Sequence, residues 1–515
     1  MPHIRRTRFV ALLTLVAAAA SLCALAISTA PPAAALTVTG KTVAAGNNFT
    51  LVLGANGIAK GFGVNTFGQL ANSTNNNTLN ANPTPSGIGP SNLVAVAAGH
   101  TWGVGLDSFG RVWTFGNNQY GQLGRAANVG TGSPNPVSTL VDGINHVTAI
   151  AAGQDHTLAL RSDGTVWGWG TNGIGELGNA IPVGTLTTTP KQIPGLSHVI
   201  AIAAGSGHSL VLLADGTVWG FGYNGLGQLG NGTNAGVFTS NTTPLKVEGI
   251  PPASGIAAGT NFSLVLAAEG TVWGFGDNFY GQIGSSVNVG NAVAVNATPQ
   301  RAEGLTSIIA ISAEGHHSLA LQKDGGFVYA FGPNAWGQLG KAVNTTTNLP
   351  AKVAGLSGVT ALAAGGDHSV VVRSDGGAAV FGRNSYGELG FAVNGANPSA
   401  TISLNLSGLG QPPSFVPLVP ARLLDTRPGS TTIDGDYAGD DTRTAGLLTL
   451  LRVAGRGGVP NDASAVVLNV TVTQAEGTGF ITVYPCGSPE PNASSLNYTA
   501  GATIANAVIA KVGAT

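Results

Sequence analysis

The stretch Ala151-Ala152-Gly153-Gln154-Asp155-His156-Thr157-Leu158-Ala159-Leu160 recurs in recognisable form seven times along the chain. Its third position recurs at intervals of 51 to 55 residues, at Gly46, Gly99, Gly153, Gly205, Gly259, Glu314 and Gly365. Eleven residues after each of these positions lies another glycine, and a motif such as Gly121-Gln122-Leu123-Gly124 closes the repeat. A fixed period of this length indicates an array of structural units rather than an ordinary single-core domain.

Each repeat has the pattern of four short strands. Val147 to Ala152 and His156 to Arg161 are apolar runs, and Asp163-Gly164 is typical of hairpin turns in which both central residues take a positive φ. Thr165 to Trp169 is rich in β-branched and aromatic residues, and Pro190 to Leu196 contains a proline that suits an edge strand. Four antiparallel strands in each of seven repeats predict an all-β fold, a seven-bladed β-propeller.

The two ends of the repeat array suggest how the ring closes. The first repeat begins with a strand at Val38 to Ala45, and the last ends with one at Pro398 to Leu409. An open sheet edge is a liability for a soluble protein. We therefore predict that the first strand joins the final blade and closes the ring.

These motifs resemble the regulator of chromosome condensation repeat family. The resemblance rests on the Ala-Ala-Gly-x-x-His-Ser/Thr-Leu core, the Asp-Gly turn, the Val-Trp-Gly-Phe-Gly strand and the Asn-x-x-Gly-Gln-Leu-Gly close, and it covers roughly residues 36–410. It implies a seven-bladed propeller. The family's functions include nucleotide exchange on a nuclear GTPase, ultraviolet sensing and, in a secreted streptomycete relative, inhibition of β-lactamase, so the fold does not choose among them.

The N-terminal region has the pattern of an export signal. An apolar stretch over residues 9–27 follows Arg5, Arg6 and Arg8. Small residues at Ala33 to Ala35 offer a cleavage site, so we predict a signal peptide over residues 1–35, with an uncleaved anchor as the alternative. The sequence leaves Sec and twin-arginine export both open. The predicted location is secreted, either extracellular or associated with the cell wall.

Composition excludes several classes of function. Only 9% of the residues are charged, and 22 Lys and Arg against 23 Asp and Glu give a net charge of −1. Non-specific nucleic-acid binding needs dense clusters of basic residues, so no nucleic-acid partner is expected. Because Cys23 lies in the predicted signal peptide, the mature chain would keep Cys486 alone and could form no internal disulfide.

The last hundred residues form a second predicted unit. A Pro-rich linker at 411–420 follows the propeller at 36–410, and alternating apolar residues predict a smaller β-rich domain at 421–515. The segments Phe415 to Arg427, Ala465 to Val472 and Gly479 to Pro485 resemble an accessory domain of secreted actinobacterial proteins. That family normally continues past the last strand, so the resemblance implies that this domain is incomplete at its C-terminus.

Few residues in the sequence are candidates for catalysis or for binding a metal or a cofactor. Four histidines share one repeat position, which the other repeats fill with Phe49, Trp102 and Phe262; the four are His156, His208, His317 and His368. Because a metal ligand cannot be replaced by phenylalanine, we interpret these histidines as packed structural rings. Gly-x-Gly-x-x-Gly strings at 168–173 and 220–225 open no predicted helix, so we expect no dinucleotide site and no cofactor.

One metal alternative lies in the C-terminal region. The acids Asp434, Asp436 and Asp440 partly imitate a calcium loop, but Ala445 stands where the loop needs a bidentate glutamate. We interpret this segment as a solvated acidic turn, with weak calcium binding as the alternative.

One bulky residue in each repeat precedes the Gly-Gln/Glu pair. This series is Phe67, Tyr120, Ile174, Leu226, Tyr280, Trp336 and Tyr386. It lies at a strand-to-loop junction, so it either packs between blades or contacts a partner. Phe238 and Phe279 vary between repeats and are further candidates for partner binding. The loops around them are rich in Asn, Thr and Gly, a composition that suits adaptable recognition.

The sequence therefore predicts an exported, non-catalytic, monomeric binding scaffold. Its rigid ring would present loops to an extracellular protein, in the manner of an inhibitor. A cell-wall or carbohydrate-binding adhesin that recognises a cell-surface glycan is the first alternative. Guanine-nucleotide exchange, implied by the family resemblance only, is the second.

Overall fold

In the computed structural model, the described residues are 42–54, 56–345 and 347–405, together with four C-terminal strands. The chain divides into two units, residues 1–412 and 413–515. Seven four-stranded antiparallel sheets follow one another along the first unit, and each sheet is built from consecutive strands. The predicted seven-bladed β-propeller is confirmed.

The strands of blades 1 to 4 are as follows: β1 Val43–Ala45, β2 Phe49–Leu53, β3 Ala59–Gly63, β4 Asn82–Ile88; β5 Leu93–Ala98, β6 Trp102–Asp107, β7 Val112–Gly116, β8 Thr139–Leu140; β9 Val147–Ala152, β10 His156–Arg161, β11 Val166–Asn172, β12 Thr185–Gln192; β13 Val199–Ala204, β14 His208–Leu213, β15 Val218–Gly222, β16 Asn241–Lys246. Those of blades 5 to 7 are: β17 Ala253–Ala258, β18 Phe262–Ala267, β19 Val272–Gly276, β20 Gln300–Arg301; β21 Ile308–Glu314, β22 His317–Gln322, β23 Val328–Gly332, β24 Thr347–Lys352; β25 Val359–Ala364, β26 His368–Arg373, β27 Gly377–Asn384, β28 Gly395–Asn405.

The first strand of each blade lies at the centre of the ring. Each of these strands contacts the first strand of the next blade, and β25 of blade 7 contacts β1 of blade 1. Close approach at this centre explains the repeated glycine. A Cβ on Gly153 would collide with the ring of His156 and would lie 2.6 Å from the Gly205 carbonyl oxygen of the next blade. In blade 6, where Glu314 occupies the glycine position, Gly315 makes the equivalent close approach to Gly366.

The core lies between blades rather than within one blade. In the Val-Trp-Gly-Phe-Gly strand the phenylalanine is fully buried, as Phe221 and Phe275 show, while the tryptophan is half-buried. One apolar cluster joins Leu158 and Leu177 of blade 3 to Val211 and Phe221 of blade 4. Blade-to-blade burial of this kind makes each unit depend on its neighbours.

The turn predicted from Asp-Gly differs from the one in the structure. Gly164 has φ 77°, but Asp163 is not among the residues of positive φ. The Gly164 N–H donates to the Arg161 carbonyl at 3.0 Å, and the Arg161 N–H donates to the Thr165 carbonyl at 3.0 Å. These bonds describe a three-residue loop in which only the final glycine is left-handed. The strand Val166–Asn172 therefore begins one position after the predicted start.

The outer strand of blade 3 begins before its predicted start. It covers Thr185–Gln192 rather than Pro190 to Leu196. Pro190 lies where the register shifts between Gly168 and Gly170, so it occupies a bulge and removes no ladder hydrogen bond.

The predicted closure by exchange of a strand is wrong. Strand β1 pairs with β2 in blade 1, with Val43 opposite Val52, and blade 7 has its own fourth strand. The ring closes instead by packing, because Val43 and Phe62 of blade 1 share an apolar cluster with Val370 and Val380 of blade 7. Blade 7 already has four strands, so no position is vacant for a strand from the N-terminus.

Four strands are described in the C-terminal unit, in keeping with its predicted β-rich character. Strand β29 (Ala465–Val472) pairs with β32 (Ile504–Lys511), and β30 (Gly479–Ile481) pairs with β31 (Leu496–Tyr498). The predicted signal peptide, the linker and the acids Asp434, Asp436 and Asp440 lie outside the described residues.

Candidate protein-binding face

The loops that follow the first and third strands of every blade lie at the same end of the ring, because the strands alternate in direction. Hydrogen bonds tie the two loops together, as from the Val64 N–H to the Asn48 carbonyl at 2.9 Å and from the Thr171 N–H to the Asp155 carbonyl at 3.0 Å. We call this end the long-loop face. The Asp-Gly turns occupy the opposite end.

A buried asparagine braces the long loop of every blade. In blade 2 the Asn118 Oδ1 accepts from the Leu123 N–H at 2.9 Å, while its Nδ2 donates to the carbonyls of Arg125 and Ala127. The Oδ1 bond to the N–H five positions later recurs in all seven blades, through Asn65, Asn118, Asn172, Asn224, Asn278, Asn334 and Asn384. Sequence reasoning used this asparagine as part of a motif but assigned it no role. Its presence in every repeat was the available signal.

The buried glutamine or glutamate fixes the bulky residue two positions before it. The Gln338 Oε1 accepts from the Trp336 N–H at 3.0 Å, and the Glu388 Oε2 accepts from the Tyr386 N–H at 2.6 Å. An equivalent bond is present in every blade, for Phe67, Tyr120, Ile174, Leu226 and Tyr280 as well. These backbone positions are therefore held rigidly although they lie in loops.

None of the seven bulky residues is buried. Tyr120 and Tyr280 are each 41% exposed, and the other five are partly exposed. Phe279 is partly exposed, and Phe238 is 79% exposed and packs on Tyr223 with ring centroids 5.1 Å apart. Ile174 of blade 3 lies against Gly207 of blade 4, and Trp336 of blade 6 lies under Arg383 of blade 7, so this exposure does not decide between packing between blades and partner binding. Binding of a partner by these residues remains a prediction.

Aromatic and charged side chains converge on blades 5 to 7. Phe279 meets Tyr280 edge to face at 4.7 Å, and Tyr280 lies 6.4 Å from the His316 ring. The Arg383 guanidinium lies 4.9 Å from the Trp336 ring centre and 5.2 Å from that of Tyr386. We call Tyr280, His316, Trp336, Arg383 and Tyr386 the blade 5–7 cluster. The sequence analysis singled out Tyr280, Trp336 and Tyr386 but missed His316 and Arg383, because contacts between blades cannot be read from the repeat pattern.

Blades 3 and 7 each carry a pair of acidic side chains at the same two repeat positions, but the residues beside the two pairs differ. In blade 7, Arg383 lies 3.6 Å from the Asp367 carboxylate and 3.9 Å from that of Glu388. In blade 3 the equivalent acids are Asp155 and Glu176, and Thr171 stands in the place of Arg383. Burial raises the pKa of Asp155 to about 6, and the charge of Glu176 adds to the shift. Burial also raises the pKa of Asp367, but there Arg383 and His316 oppose the shift.

The four histidines are structural, as predicted. The His208 Nε2 lies 2.9 Å from the Ser263 hydroxyl of the next blade, and that hydroxyl donates to the Gln228 carbonyl at 2.7 Å. The same relay, which we call the seam relay, occurs at His156–Ser209, His317–Ser369 and His368–Thr50. Because the hydroxyl proton goes to the carbonyl, the histidine Nε2 must carry a proton and act as the donor.

Burial keeps these rings neutral. It lowers the pKa of His208 to about 4 and that of His156, His317 and His368 to about 3. The predicted satisfied nitrogen is Nε2, while Nδ1 of each ring has no hydrogen-bond partner among the described residues. The last relay joins blade 7 to blade 1, so it also closes the ring.

The glycine-rich strings and the side chains that could bind a metal ion form no site among the described residues. Both Gly-x-Gly-x-x-Gly strings begin inside strands β11 and β15 and run into loops, so neither opens a helix. Within the described residues no group of three or more His, Cys, Asp or Glu side chains could hold a metal ion. No helix in the same part of the chain is long and apolar enough to cross a membrane.

Comparison with protein families assigns this architecture. The family model described as the RCC1-like domain matches residues 88–407, which is more than half of the chain. The chain belongs to the RCC1-like domain family. The C-terminal strands lie outside the matched region.

Curated relatives of this RCC1-like chain have diverse names. Human E3 ubiquitin-protein ligase HERC2 is 33% identical over 54% of this chain, but the match covers only 6% of HERC2. The human probable E3 ubiquitin-protein ligase HERC6 is 34% identical over 52% of this chain and 26% of its own length. The ultraviolet-B receptor UVR8 of Arabidopsis thaliana is 27% identical over 51% of this chain and 58% of its own.

These relatives correct one prediction. The sequence predicted a protein that is not an enzyme, and the names of HERC2 and HERC6 contradict that prediction. We withdraw it. The matches cover less than two thirds of either ligase, so the ligases' activity is not carried over to this chain.

Solved structures support the fold. Human WBSCR16 superposes with a TM-score of 0.58 at 19% identity, covering 67% of this chain and 93% of that one. Saccharomyces cerevisiae Prp20p superposes with a TM-score of 0.57 at 23% identity, covering 72% and 88%. Another structure shows yeast RCC1 (Prp20) with Kap60 bound to it.

Proposed function

We propose that this RCC1-like propeller is an exported scaffold whose long-loop face binds a protein partner outside the cell. The observation that carries the proposal is the blade 5–7 cluster. There Arg383 stacks with Trp336 and Tyr386 on a face whose loops are braced from beneath. Arginine, tryptophan and tyrosine are the residue types that most often dominate binding energy at protein interfaces.

Rigidity favours this face over an ordinary loop surface. The asparagine and glutamine hydrogen bonds fix the backbone of each aromatic position before any partner arrives. Binding to a preorganised surface loses less conformational entropy than binding to a mobile loop. Asp367 lies 3.6 Å from Arg383 of the cluster, so charges of both signs stand side by side and can fix the orientation of a partner.

The N-terminal pattern supports the location outside the cell. The arginines at 5, 6 and 8, the apolar stretch and Ala33 to Ala35 together fit an export signal. The matching test is N-terminal sequencing of the protein recovered from the medium. A mature start at residue 36 would support export, whereas an intact Met1 on protein found only inside the cell would contradict it.

Site-specific photo-crosslinking tests the binding face. In the full chain, Tyr280 and Trp336 are each replaced by p-benzoylphenylalanine, and the variants are irradiated with the extracellular and envelope fractions of the native host. Phe109 is the matched control, because it is 70% exposed but lies in the turn between β6 and β7, at the opposite end of the ring. Ile174 supplies a second control at the same repeat position in blade 3.

We expect one protein adduct of the same identity from positions 280 and 336 and none of that identity from position 109. Competition with unlabelled wild-type chain should abolish it, while competition with the Arg383→Ala chain should be at least about tenfold less effective. Equal adducts from position 109, or none from 280 and 336, would contradict the proposal.

A further inference from the structure

The rim of the ring carries a cavity between blades 3 and 4, which includes Asn179 of the blade 3 long loop but no residue of the blade 5–7 cluster. It has a volume of about 430 Å³ and is lined by Asn179 and Ser197 of blade 3 and its connection, and by Leu213, Trp219, Thr243 and Pro244 of blade 4. Small-molecule sites usually measure about 300–1,000 Å³. We propose that this cavity is a binding site for a neutral saccharide, independent of the blade 5–7 cluster.

Hydrogen bonds within the turn orient Trp219, so that the carbon surface of its indole ring lines the cavity. The Trp219 Nε1–H donates to the Thr217 hydroxyl at 3.1 Å, and that hydroxyl donates to the Asp215 carboxylate at 2.7 Å. The indole N–H is therefore already used within the turn. Trp219 is half-buried and its orientation is fixed before a ligand binds.

The equivalent tryptophans of blades 2 and 3 are covered by cations. The Arg161 guanidinium lies 5.8 Å from the Trp167 ring centre, and that of Arg111 lies 5.7 Å from Trp113. Leu213 occupies in blade 4 the repeat position of Arg161. An uncharged side chain thus lines the Trp219 cavity where blade 3 places an arginine on the ring.

The remaining lining selects the class of ligand. Asn179, Ser197 and Thr243 are exposed and bring one amide and two hydroxyl groups, each able to donate and to accept hydrogen bonds. No lining residue is charged. A pyranose ring has a face of C–H groups that stacks on an aromatic surface and a rim of hydroxyls that needs such neutral partners. A charged ligand would lose hydration without gaining an opposite charge.

Ligand-observed NMR with defined sugars tests the site. The probes are the methyl glycosides of glucose, galactose, mannose and N-acetylglucosamine, each added to the full chain up to about 10 mM, since single-sugar sites bind in the millimolar range. Three variants are compared: Trp219→Ala, Ser197→Trp and Trp273→Ala. Ser197 is exposed, so Ser197→Trp fills the cavity without disturbing the core. Trp273 has the same indole-to-threonine bond in blade 5 and is the matched control.

We expect saturation transfer to at least one glycoside, weakened at least about tenfold by Trp219→Ala and by Ser197→Trp and changed less than about twofold by Trp273→Ala. Should Trp219→Ala not fold, Ser197→Trp alone decides the outcome. No transfer to any of the four glycosides would overturn the proposal. Transfer that survives in Ser197→Trp, or that is lost equally in Trp273→Ala, would also overturn it.

Discussion

The seam relays and the bulky residues of the long-loop face both recur at fixed repeat positions, yet the structure gives them opposite surroundings. His208 is fully buried and hydrogen-bonded across a blade boundary, whereas Tyr280 is 41% exposed and only its backbone is fixed. Recurrence alone therefore does not separate a residue that holds the ring together from one that the ring presents. Burial and the direction of the hydrogen bonds separate them, and the predictions below test that separation.

The largest effect should come from removing a seam relay. His208→Ala leaves a cavity in a fully buried position and removes the partner of Ser263, so the free energy of unfolding should fall by about 2–4 kcal/mol. His208→Phe should cost about 1 kcal/mol, because Phe262 fills the same position in blade 5. Denaturant unfolding of both variants measures the difference. Equal losses would show that ring packing at this position does not matter.

Closure of the ring should depend on one hydroxyl. The Thr50 hydroxyl donates to the Glu388 carbonyl at 2.8 Å and lies 2.8 Å from the His368 Nε2. Thr50→Val keeps the shape but leaves both groups unpaired, so it should cost about 2–3 kcal/mol of unfolding free energy. Thr157→Val is the control and should cost about 1 kcal/mol, because the carbonyl of Gln122 still accepts from Trp169. If Thr50→Val lowered the free energy of unfolding less than Thr157→Val, closure of the ring would not depend on the Thr50 hydroxyl.

Acid should weaken the seam through its histidines. The pKa of His208 is lowered to about 4 in the folded state against 6.5 as the ordinary value, so the unfolded chain binds the extra proton as pH falls below 6.5. Its contribution to stability is therefore present above pH 6.5 and lost between 6.5 and 4. His208→Phe should lose about 2 kcal/mol less than wild type between pH 7 and pH 5. Identical pH profiles for the two proteins would contradict a neutral His208.

The acid pair of blade 3 should show the opposite sign. The pKa of Asp155 is raised to about 6, so the folded state binds its proton first and stability declines as pH rises from about 4 to 6. Asp155→Asn should raise the free energy of unfolding at pH 7.5 by about 1–2 kcal/mol and leave it nearly unchanged at pH 4. Asp367→Asn in blade 7 should stabilise less, because Arg383 loses a partner. Urea unfolding at the two pH values measures both effects. A lower free energy of unfolding for Asp155→Asn than for wild type at pH 7.5 would refute the prediction.

The propeller could be predicted from the repeat period and from motifs such as Gly-Gln-Leu-Gly that end each repeat. The four histidines could also be interpreted correctly, because phenylalanine replaces histidine in other blades. The turn at Asp163-Gly164 was misassigned, since the dipeptide fits two hairpin loops that differ by one residue. The place of β1 was misassigned because local sequence does not show whether the last blade is already complete.

The surface was harder to predict than the ring. The aromatic residues of the blade 5–7 cluster could be found from their repeat position, but their exposure could not. Arg383 occupies a position that holds Thr171 in blade 3 and Tyr223 in blade 4, so the repeat pattern gives it no meaning. Its stacking depends on Trp336 from the neighbouring blade, a contact that arises only when blade 7 packs on blade 6.

Blade 6 contains both a buried seam-relay residue and a bulky residue of the long-loop face, so it gives the most direct test of the difference between them. His317 is fully buried in a seam relay with Ser369, and Trp336 is a partly exposed member of the blade 5–7 cluster. Denaturant unfolding of the full chain should show a loss of about 2–4 kcal/mol for His317→Ala and of no more than about 1 kcal/mol for Trp336→Ala. If Trp336→Ala destabilises the protein as much as His317→Ala, the bulky series belongs to the core and the long-loop face is not free to bind a partner.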